Sequence, residues 1–323
     1  MPELVMENII KFSDFKSVLT LRQVSKDFLN FIDSLNDSTL PDSEFSRIDM
    51  IVNEDICLRY RDSNNIQNEF IYSQMDILRS FNGKITFLGS SSVIDVAIRD
   101  LELVLKFQKS NLRLLHFHLG PSFETFPVKL SNMFKKLNRK IKTENLSMKA
   151  DSQSKIMPIL PFVEPRTLER IDLLTLNDNM EIEINEIVKT EQWKNADKFN
   201  CDFNVSNFNI KDICHFSETL IQFLSVSAKE MDLLRKILID SSKLSGIWLR
   251  LKNFNEHREL SNLWGPCFIG ENSRLWYFRM KNSEEEIMEF ELRRNSGNFT
   301  WRIKIIHIGG VPNGAAVHDY EEN

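Results

Sequence analysis

A short apolar pattern that repeats along the chain is the strongest constraint on its fold. The pattern is Leu-x-x-apolar-x-apolar, where x is any residue. Such alternation is typical of a strand that buries alternate side chains. Clear copies are Leu112/Leu115/Phe117, Leu168/Ile171/Leu173, Leu244/Ile247/Leu249 and Leu275/Phe278/Met280. Amphipathic stretches at residues 152–163, 183–193 and 230–240 are long enough for helices between them. Alternating strands and helices predict a stacked α/β body.

The spacing of this pattern is close to that of a known repeat class. Successive copies, including weaker ones near Leu146, Cys201 and Val226, lie roughly 24–31 residues apart, against 20–29 in leucine-rich repeats. No regular Asn or Cys follows each strand at the position where those repeats carry one. The sequence therefore predicts an α+β to α/β fold whose body is a leucine-rich-repeat-like solenoid.

The regions flanking the repeats carry a different pattern. Residues 48–88 contain four alternating apolar and polar runs separated by Asn, Asp, Ser and Gly, which predicts short antiparallel strands. Ser91 to Ser110 reads as a helix with serine caps ahead of it. Residues 285–308 read as a terminal β-hairpin that caps the stack, and the residues beyond Gly309 as a loose tail.

The first 35 residues pose a separate problem. Their apolar residues recur at helical spacing in three short runs, with Pro2 where a first-turn proline is tolerated. A unit of this length is below the roughly 40 residues at which a lone domain becomes viable. Some of its apolar side chains must therefore face either the rest of this chain or a partner protein.

Composition narrows the function classes. The net charge is −5, from 46 acidic against 41 basic residues spread along the chain, which argues against a nucleic-acid partner. The four cysteines are far apart, as expected for reduced thiols. No signal-peptide pattern and no run of 18 apolar residues is present. We expect a cytoplasmic or nuclear protein with no membrane partner.

Catalytic motifs are missing from the sequence. It contains no P-loop, no GxGxxG, no GxSxG and no HExxH, so we expect no catalytic residues, no metal and no cofactor. His116 and His118 lie two apart on a predicted strand and could hold one edge of a metal site, but no third ligand follows at useful spacing. The pair Cys214-His215 and Cys267 meet the same objection. We also expect neither cysteine to act as a nucleophile.

Two other features have more than one interpretation. Trp193 could be an exposed hot spot, although packing at a helix end is the favoured interpretation. The basic run of residues 135–142 is typical of a solvated helix face, and a phosphate or acidic-peptide patch is the alternative.

The N-terminal stretch MPELVMENIIKFSDFKSVLTLRQVSKDFLNFI resembles an F-box, the three-helix module that docks on the Skp-type linker of Skp–cullin–F-box ubiquitin ligases. The family's motif positions correspond here to Met1-Pro2, Ile9-Ile10, Val18-Leu19 and the run Val24 to Phe28. The sequence departs from the motif at Met1, Leu4, Ser13, Ser25 and Phe28. The resemblance implies binding to a Skp-type linker protein, and through it to a cullin. The implied contact residues are Pro2, Leu4, Val5, Ile9, Ile10, Val18, Leu19, Leu21, Val24 and Phe28.

The body resembles the FTH domain, an F-box-associated region expanded in nematodes such as Caenorhabditis. The resemblance rests on Ile159-Leu160-Pro161, Pro165, Leu168, Ile171 and the run Glu191 to Ala196. Together with the pattern of the flanking regions, the two resemblances divide the chain into an F-box at 1–36, an antiparallel β region at 45–90, an FTH domain at 91–308 and a flexible tail at 309–323.

Together the two resemblances imply a non-catalytic adaptor that recruits an unknown target protein to a ubiquitin ligase. The alternative is a protein-binding scaffold of the same fold, with no ubiquitin link, whose N-terminus only caps the solenoid. A third alternative, a hydrolase, would need a pocket that brings together a histidine, a carboxylate and a nucleophile.

Overall fold

The computed structural model describes residues 3–35, 39–295 and 297–319 of a mixed α/β chain with helices at its N-terminus and strands at its C-terminus. The chain forms two compact units. Unit 1 comprises Met1–Lys149 and Pro158–Leu168, and unit 2 comprises Ala150–Met157 and Glu169–Asn323. The boundary between the units falls inside the region 91–308 that the sequence predicts as one domain.

Unit 1 begins with three short helices, which a strand meander and two helix–strand pairs follow. Its helices are α1 (Glu3–Lys11), α2 (Phe15–Val24), α3 (Lys26–Ser34), α4 (Val93–Phe107) and α5 (Phe126–Leu137), with a 3₁₀ turn at Leu160–Phe162. Its strands are β1 (Phe45–Val52), β2 (Ile56–Asp62), β3 (Gln67–Ser73), β4 (Leu78–Phe81), β5 (Lys84–Phe87), β6 (Leu112–Leu119) and β7 (Thr143–Ala150).

The strands of unit 1 pair in the order β5, β4, β3, β2, β1, β6, β7. β1 to β5 form the antiparallel meander that the sequence predicts for residues 48–88, which is confirmed. β6 joins β1 in parallel, and β7 joins β6 in parallel. The predicted helix after Ser91 is also confirmed, because Ser92 caps α4 by accepting a hydrogen bond from the backbone N–H of Asp95.

Unit 2 contains more strand than helix among its described residues. Its helices are α6 (Gln153–Ile156), α7 (Glu191–Asn195), α8 (Ala228–Leu238) and α9 (His257–Trp264), with 3₁₀ turns at Ile187–Lys189, Ile210–Ile213 and Ile308–Gly310. Its strands are β8 (Arg170–Thr175), β9 (Glu181–Glu183), β10 (Lys198–Ser206), β11 (Glu218–Phe223), β12 (Gly246–Leu251), β13 (Phe268–Ile269), β14 (Ser273–Arg279), β15 (Glu286–Asn295), β16 (Asn298–His307) and β17 (Val317–His318).

Parallel pairing in unit 2 runs from β8 and β9 through β10 and β11 to β12. Beyond β12 the pairing is antiparallel, through β16 and β15 to β14. The predicted hairpin of residues 285–308 is confirmed as β15 and β16, and it covers the edge of β12. The last copy of the apolar pattern, at Leu275, lies in antiparallel β14 and so outside the parallel part.

The structure corrects two further expectations. Residues 152–163 form only the four-residue α6 and a 3₁₀ turn, because Pro158 and Pro161 lack the N–H that a continuous helix needs. The sequence predicts a loose tail from residue 309, whereas Val317 and His318 pair with Tyr277 and Phe278 of β14. The His318 ring also lies 5.5 Å from the Phe278 ring, centroid to centroid, and this contact helps to hold the segment.

Candidate functional site

The three N-terminal helices have an inner face that is anchored in unit 1. Ile10, Val18 and Ile32 are fully buried, and Phe15 is nearly so. The Phe15 ring meets the rings of Phe45, Tyr60 and Phe107 edge-on, at centroid distances of 5.2, 5.9 and 5.1 Å. Edge-to-face aromatic contacts add to the burial of apolar area. The helices are therefore part of the core of unit 1.

Hydrogen bonds hold the N-terminal helices in position and cap two of them. Arg22 of α2 donates two hydrogen bonds of 2.9 Å to the Asp33 carboxylate of α3, and Lys106 of α4 donates to the Asp33 backbone carbonyl at 3.1 Å. Asp14 caps α2 by accepting a hydrogen bond from the Ser17 N–H, which holds the pKa of its carboxyl below the usual value. Ser25 caps α3 in the same way.

The same helices carry an uncovered apolar surface, which we call the outer face. It consists of Leu4 (70% exposed), Val5 (44%), Ile9 (39%), Phe12 (84%) and Val24 (64%). Single exposed apolar residues are common, but five within 21 residues are a concentration that a partner protein could cover.

The residues that the sequence predicts as linker contacts divide into three groups. Leu4, Val5, Ile9 and Val24 lie on the outer face, whereas Leu19, Leu21 and Phe28 are partly buried. Ile10 and Val18 are fully buried, so they support the outer face from inside and offer it no surface. Pro2 lies outside the described residues.

The prediction missed Phe12, the most exposed aromatic side chain of the N-terminal helices. It lies just beyond the end of α1, where its N–H still bonds to the Asn8 carbonyl. Its helical spacing from Leu4, Val5 and Ile9 was the available signal.

Three of the four thiols are poorly suited to act as nucleophiles. Burial raises the pKa of Cys57 and of Cys201 to about 12, and that of Cys214 to about 11. A nucleophilic thiol needs a lowered pKa, because the thiolate is the reactive form. These three cysteines are therefore structural.

Both histidines of the pair on β6 are partly buried. His116 is half-buried, with its Nδ1 3.1 Å from the Ser147 hydroxyl, and burial lowers the pKa of both His116 and His118. Among the described residues, no group of three or more His, Cys, Asp or Glu side chains could hold a metal ion.

Trp193 and the basic run both make internal contacts. Trp193 is buried, packs edge-on against Phe199 and Phe216, and donates from its ring N–H to the Asp212 carbonyl at 3.1 Å. This confirms the prediction that it packs at a helix end. In the basic run, Lys136 pairs with Glu102 at 2.9 Å, and Arg139 donates to backbone carbonyls at the end of α4.

No helix in residues 3–35, 39–295 or 297–319 combines the length and the apolar character that crossing a membrane requires.

Comparison with known families agrees with the sequence resemblance. The F-box domain model matches residues 1–39, and the FTH domain model matches residues 124–264. A search of curated proteins and a search of solved structures found no match. An F-box implies binding to a Skp-type linker protein and thus to a cullin, and proteins with this domain are typically non-catalytic adaptors. The chain therefore carries an F-box domain followed by an FTH domain.

Proposed function

We propose that this chain is the substrate-recognition adaptor of a Skp–cullin–F-box type ubiquitin ligase, acting in the cytoplasm or nucleus. The observation that carries the proposal is the outer face, which exposes five apolar side chains within the segment that matches the F-box model. The order of an F-box followed by an FTH domain adds support, since it is the order expected of an F-box protein with an F-box-associated C-terminal region.

The linker protein would cover the outer face. The exposed apolar area would come from Leu4, Val5, Ile9, Phe12 and Val24. The partly buried Leu19, Leu21 and Phe28 would add smaller contacts. Removing this area from water would contribute roughly 25 cal/mol for each Å² buried. The inner face keeps the three helices in place, so binding needs little ordering of the chain and loses little entropy.

The adaptor would act by proximity. A target held by the α/β body would stand at high effective concentration near a ubiquitin-loaded enzyme elsewhere in the complex. We infer that the parallel strands β8, β10, β11 and β12 form a leucine-rich-repeat-like part of that body. The chain itself makes and breaks no bonds in this scheme.

The second candidate is a protein-binding scaffold with no ubiquitin link. The observation that favours it is the anchoring of Phe15 against Phe45, Tyr60 and Phe107, because a segment that completes the core of its own unit needs no partner to explain it. The two candidates differ in one respect, which is whether the outer face binds a linker protein.

Co-purification with a Skp-type linker protein separates the candidates. Val24→Asp and Phe12→Asp each place a charge on the outer face, and both should abolish binding. Matched controls lie on β5 of the same unit, where Ile85 is 63% and Phe87 is 80% exposed. Ile85→Asp and Phe87→Asp should bind like the unmodified chain. If all four variants and the unmodified chain fail to bind while folded, the scaffold without a ubiquitin link is the better account.

Truncation before Asn36 is a poorer test of the same question. It would remove Phe15 together with the outer face and expose Phe45, Tyr60 and Phe107 to water. Loss of binding could then come from unfolding of unit 1. The point variants leave the inner face intact and avoid this ambiguity.

A further inference from the structure

Unit 2 contains a small basic pocket that the adaptor role does not use. It has a volume of about 300 Å³ and lies where β14, β15 and β16 meet the start of α9. This volume is at the low end of the roughly 300–1,000 Å³ range of ligand sites. The pocket therefore suits a small group rather than a large cofactor.

The walls of this pocket come from residues far apart in sequence. Arg274 lies opposite Leu292 in the β14–β15 ladder, and Arg294 lies opposite Phe299 in the β15–β16 ladder. Because alternate residues share one face of a strand, Arg274 and Arg294 point to the same side of the sheet. His257, at the first position of α9, is also part of the pocket wall.

The pocket has excess positive charge. Within the part of the chain that the structure describes, neither Arg274 nor Arg294 forms an ion pair, and the guanidinium of Arg294 lies 5.7 Å from the centre of the Phe299 ring. Glu271 is the one acidic residue in the pocket wall. Two guanidinium groups against one carboxylate leave a net charge of about +1.

His257 adds an unpaired polar atom. Its Nδ1 is buried and has no hydrogen-bond partner among the described residues, although its ring packs against Phe254 at 5.0 Å. Burial lowers the pKa of His257, and the charges of Arg274 and Arg294 lower it further. The charges of the two arginines at His257 show that their positive field extends into the wall of the pocket.

We propose that this pocket binds a phosphate group between Arg274 and Arg294, beside His257. An arginine fork can donate two parallel hydrogen bonds to a carboxylate or a phosphate, and the oxygens of a phosphate are enough to accept from both arginines at once. The group could come from inorganic phosphate or from a phosphate monoester, since both present the same charged oxygens. The proposal does not depend on the linker protein.

A titration of the full chain with inorganic phosphate, followed by phosphorus NMR at constant ionic strength, tests the proposal. Arg274→Gln and Arg294→Gln should each weaken binding by at least about tenfold, as expected for a lost charge-assisted hydrogen bond. Arg258→Gln is the matched control, because Arg258 is an exposed arginine of α9 outside the pocket wall. It should bind phosphate like the unmodified chain.

Glu271→Gln gives a test in the opposite direction. It removes the opposing carboxylate and should tighten phosphate binding, and misfolding cannot produce such a gain. Absence of binding to the unmodified chain, or equal weakening by Arg258→Gln and the two pocket variants, would overturn the proposal. Titration with O-phosphoserine as a second probe shows whether the bound phosphate group comes from a monoester or from the free anion. Binding at least as tight as that of inorganic phosphate points to a monoester, whereas binding of inorganic phosphate alone points to the free anion.

Discussion

Helices α1 and α8 are both short and amphipathic, yet their apolar side chains have different surroundings. In α8, Met231, Leu234 and Leu238 are buried, and no apolar residue of that helix is exposed. In α1, Leu4, Val5 and Ile9 are exposed while only Ile10 is buried. Amphipathic spacing alone therefore does not indicate whether a helix is covered. In this chain the uncovered helix lies in the segment that matches the F-box model.

The largest loss of stability should come from a change in the core of unit 2, at Trp301 of β16. This side chain is fully buried, with the rings of Phe254 and Trp276 at 5.5 and 5.7 Å. Trp301→Ala should lower the free energy of unfolding of unit 2 by about 3–5 kcal/mol, because it leaves a cavity. Urea denaturation followed by circular dichroism measures the change. Trp248→Ala, at a partly exposed tryptophan of β12, is the control and should lower it by less than half as much.

A smaller loss of stability is expected from a change at the inner face of the N-terminal helices. Phe15→Leu keeps an apolar side chain but loses three aromatic contacts, so unit 1 should lose about 1–2 kcal/mol of unfolding free energy. Binding to the linker protein should persist at temperatures where the variant is folded. An unchanged stability would show that the inner face does not anchor the helices, and it would remove the contrast with the outer face.

The ion pairs of α8 should make the stability of unit 2 depend on pH. Burial alone would raise the pKa of Asp232, but hydrogen bonds from Trp264 and Arg235 outweigh burial and lower the pKa. A carboxyl with a lowered pKa stabilises the fold above its unfolded pKa of about 3.9, and this contribution is lost as the pH falls through the folded value.

The Asp232→Asn variant tests this dependence. It should be less stable than the unmodified chain by about 1 kcal/mol near neutral pH, a value that allows for solvent screening. Unfolding midpoints measured at a series of pH values should converge below about pH 4. If the midpoints of the two chains differ by the same amount down to low pH, Asp232 is not the source of the pH dependence.

The smallest change in stability is expected at the outer face. Phe12→Ser alters a side chain that is 84% exposed, so the free energy of unfolding should stay within about 0.5 kcal/mol of its original value. The same variant should weaken binding to the linker protein. A clear loss of stability would place Phe12 in the core and would contradict the division into inner and outer faces.

Features that depend on neighbouring residues in sequence could be predicted from the sequence. The strands of residues 48–88, the cap at Ser92, the terminal hairpin and the packing of Trp193 all follow from local spacing and turn residues. The direction in which Ile9 and Ile10 point could not be predicted, because adjacent residues of a helix lie on neighbouring faces. Burial of the inner face depends on residues far along the chain, such as Phe45 and Phe107, which pack against Phe15. The pocket near His257 has walls from four separate segments and no local motif.

The β15–β16 hairpin has a consequence for how the chain folds. Its ten-residue strands are joined through residues 296 and 297, so little loop entropy is lost when they meet. The parallel pairs from β10 to β12 require longer crossovers, which makes their closure slower. We expect the end of the chain to gain protected amides before the parallel strands do, and pulsed hydrogen exchange during refolding would reveal the order. In a cell, the parallel strands would then be released from the ribosome before the hairpin that covers the edge of β12 exists.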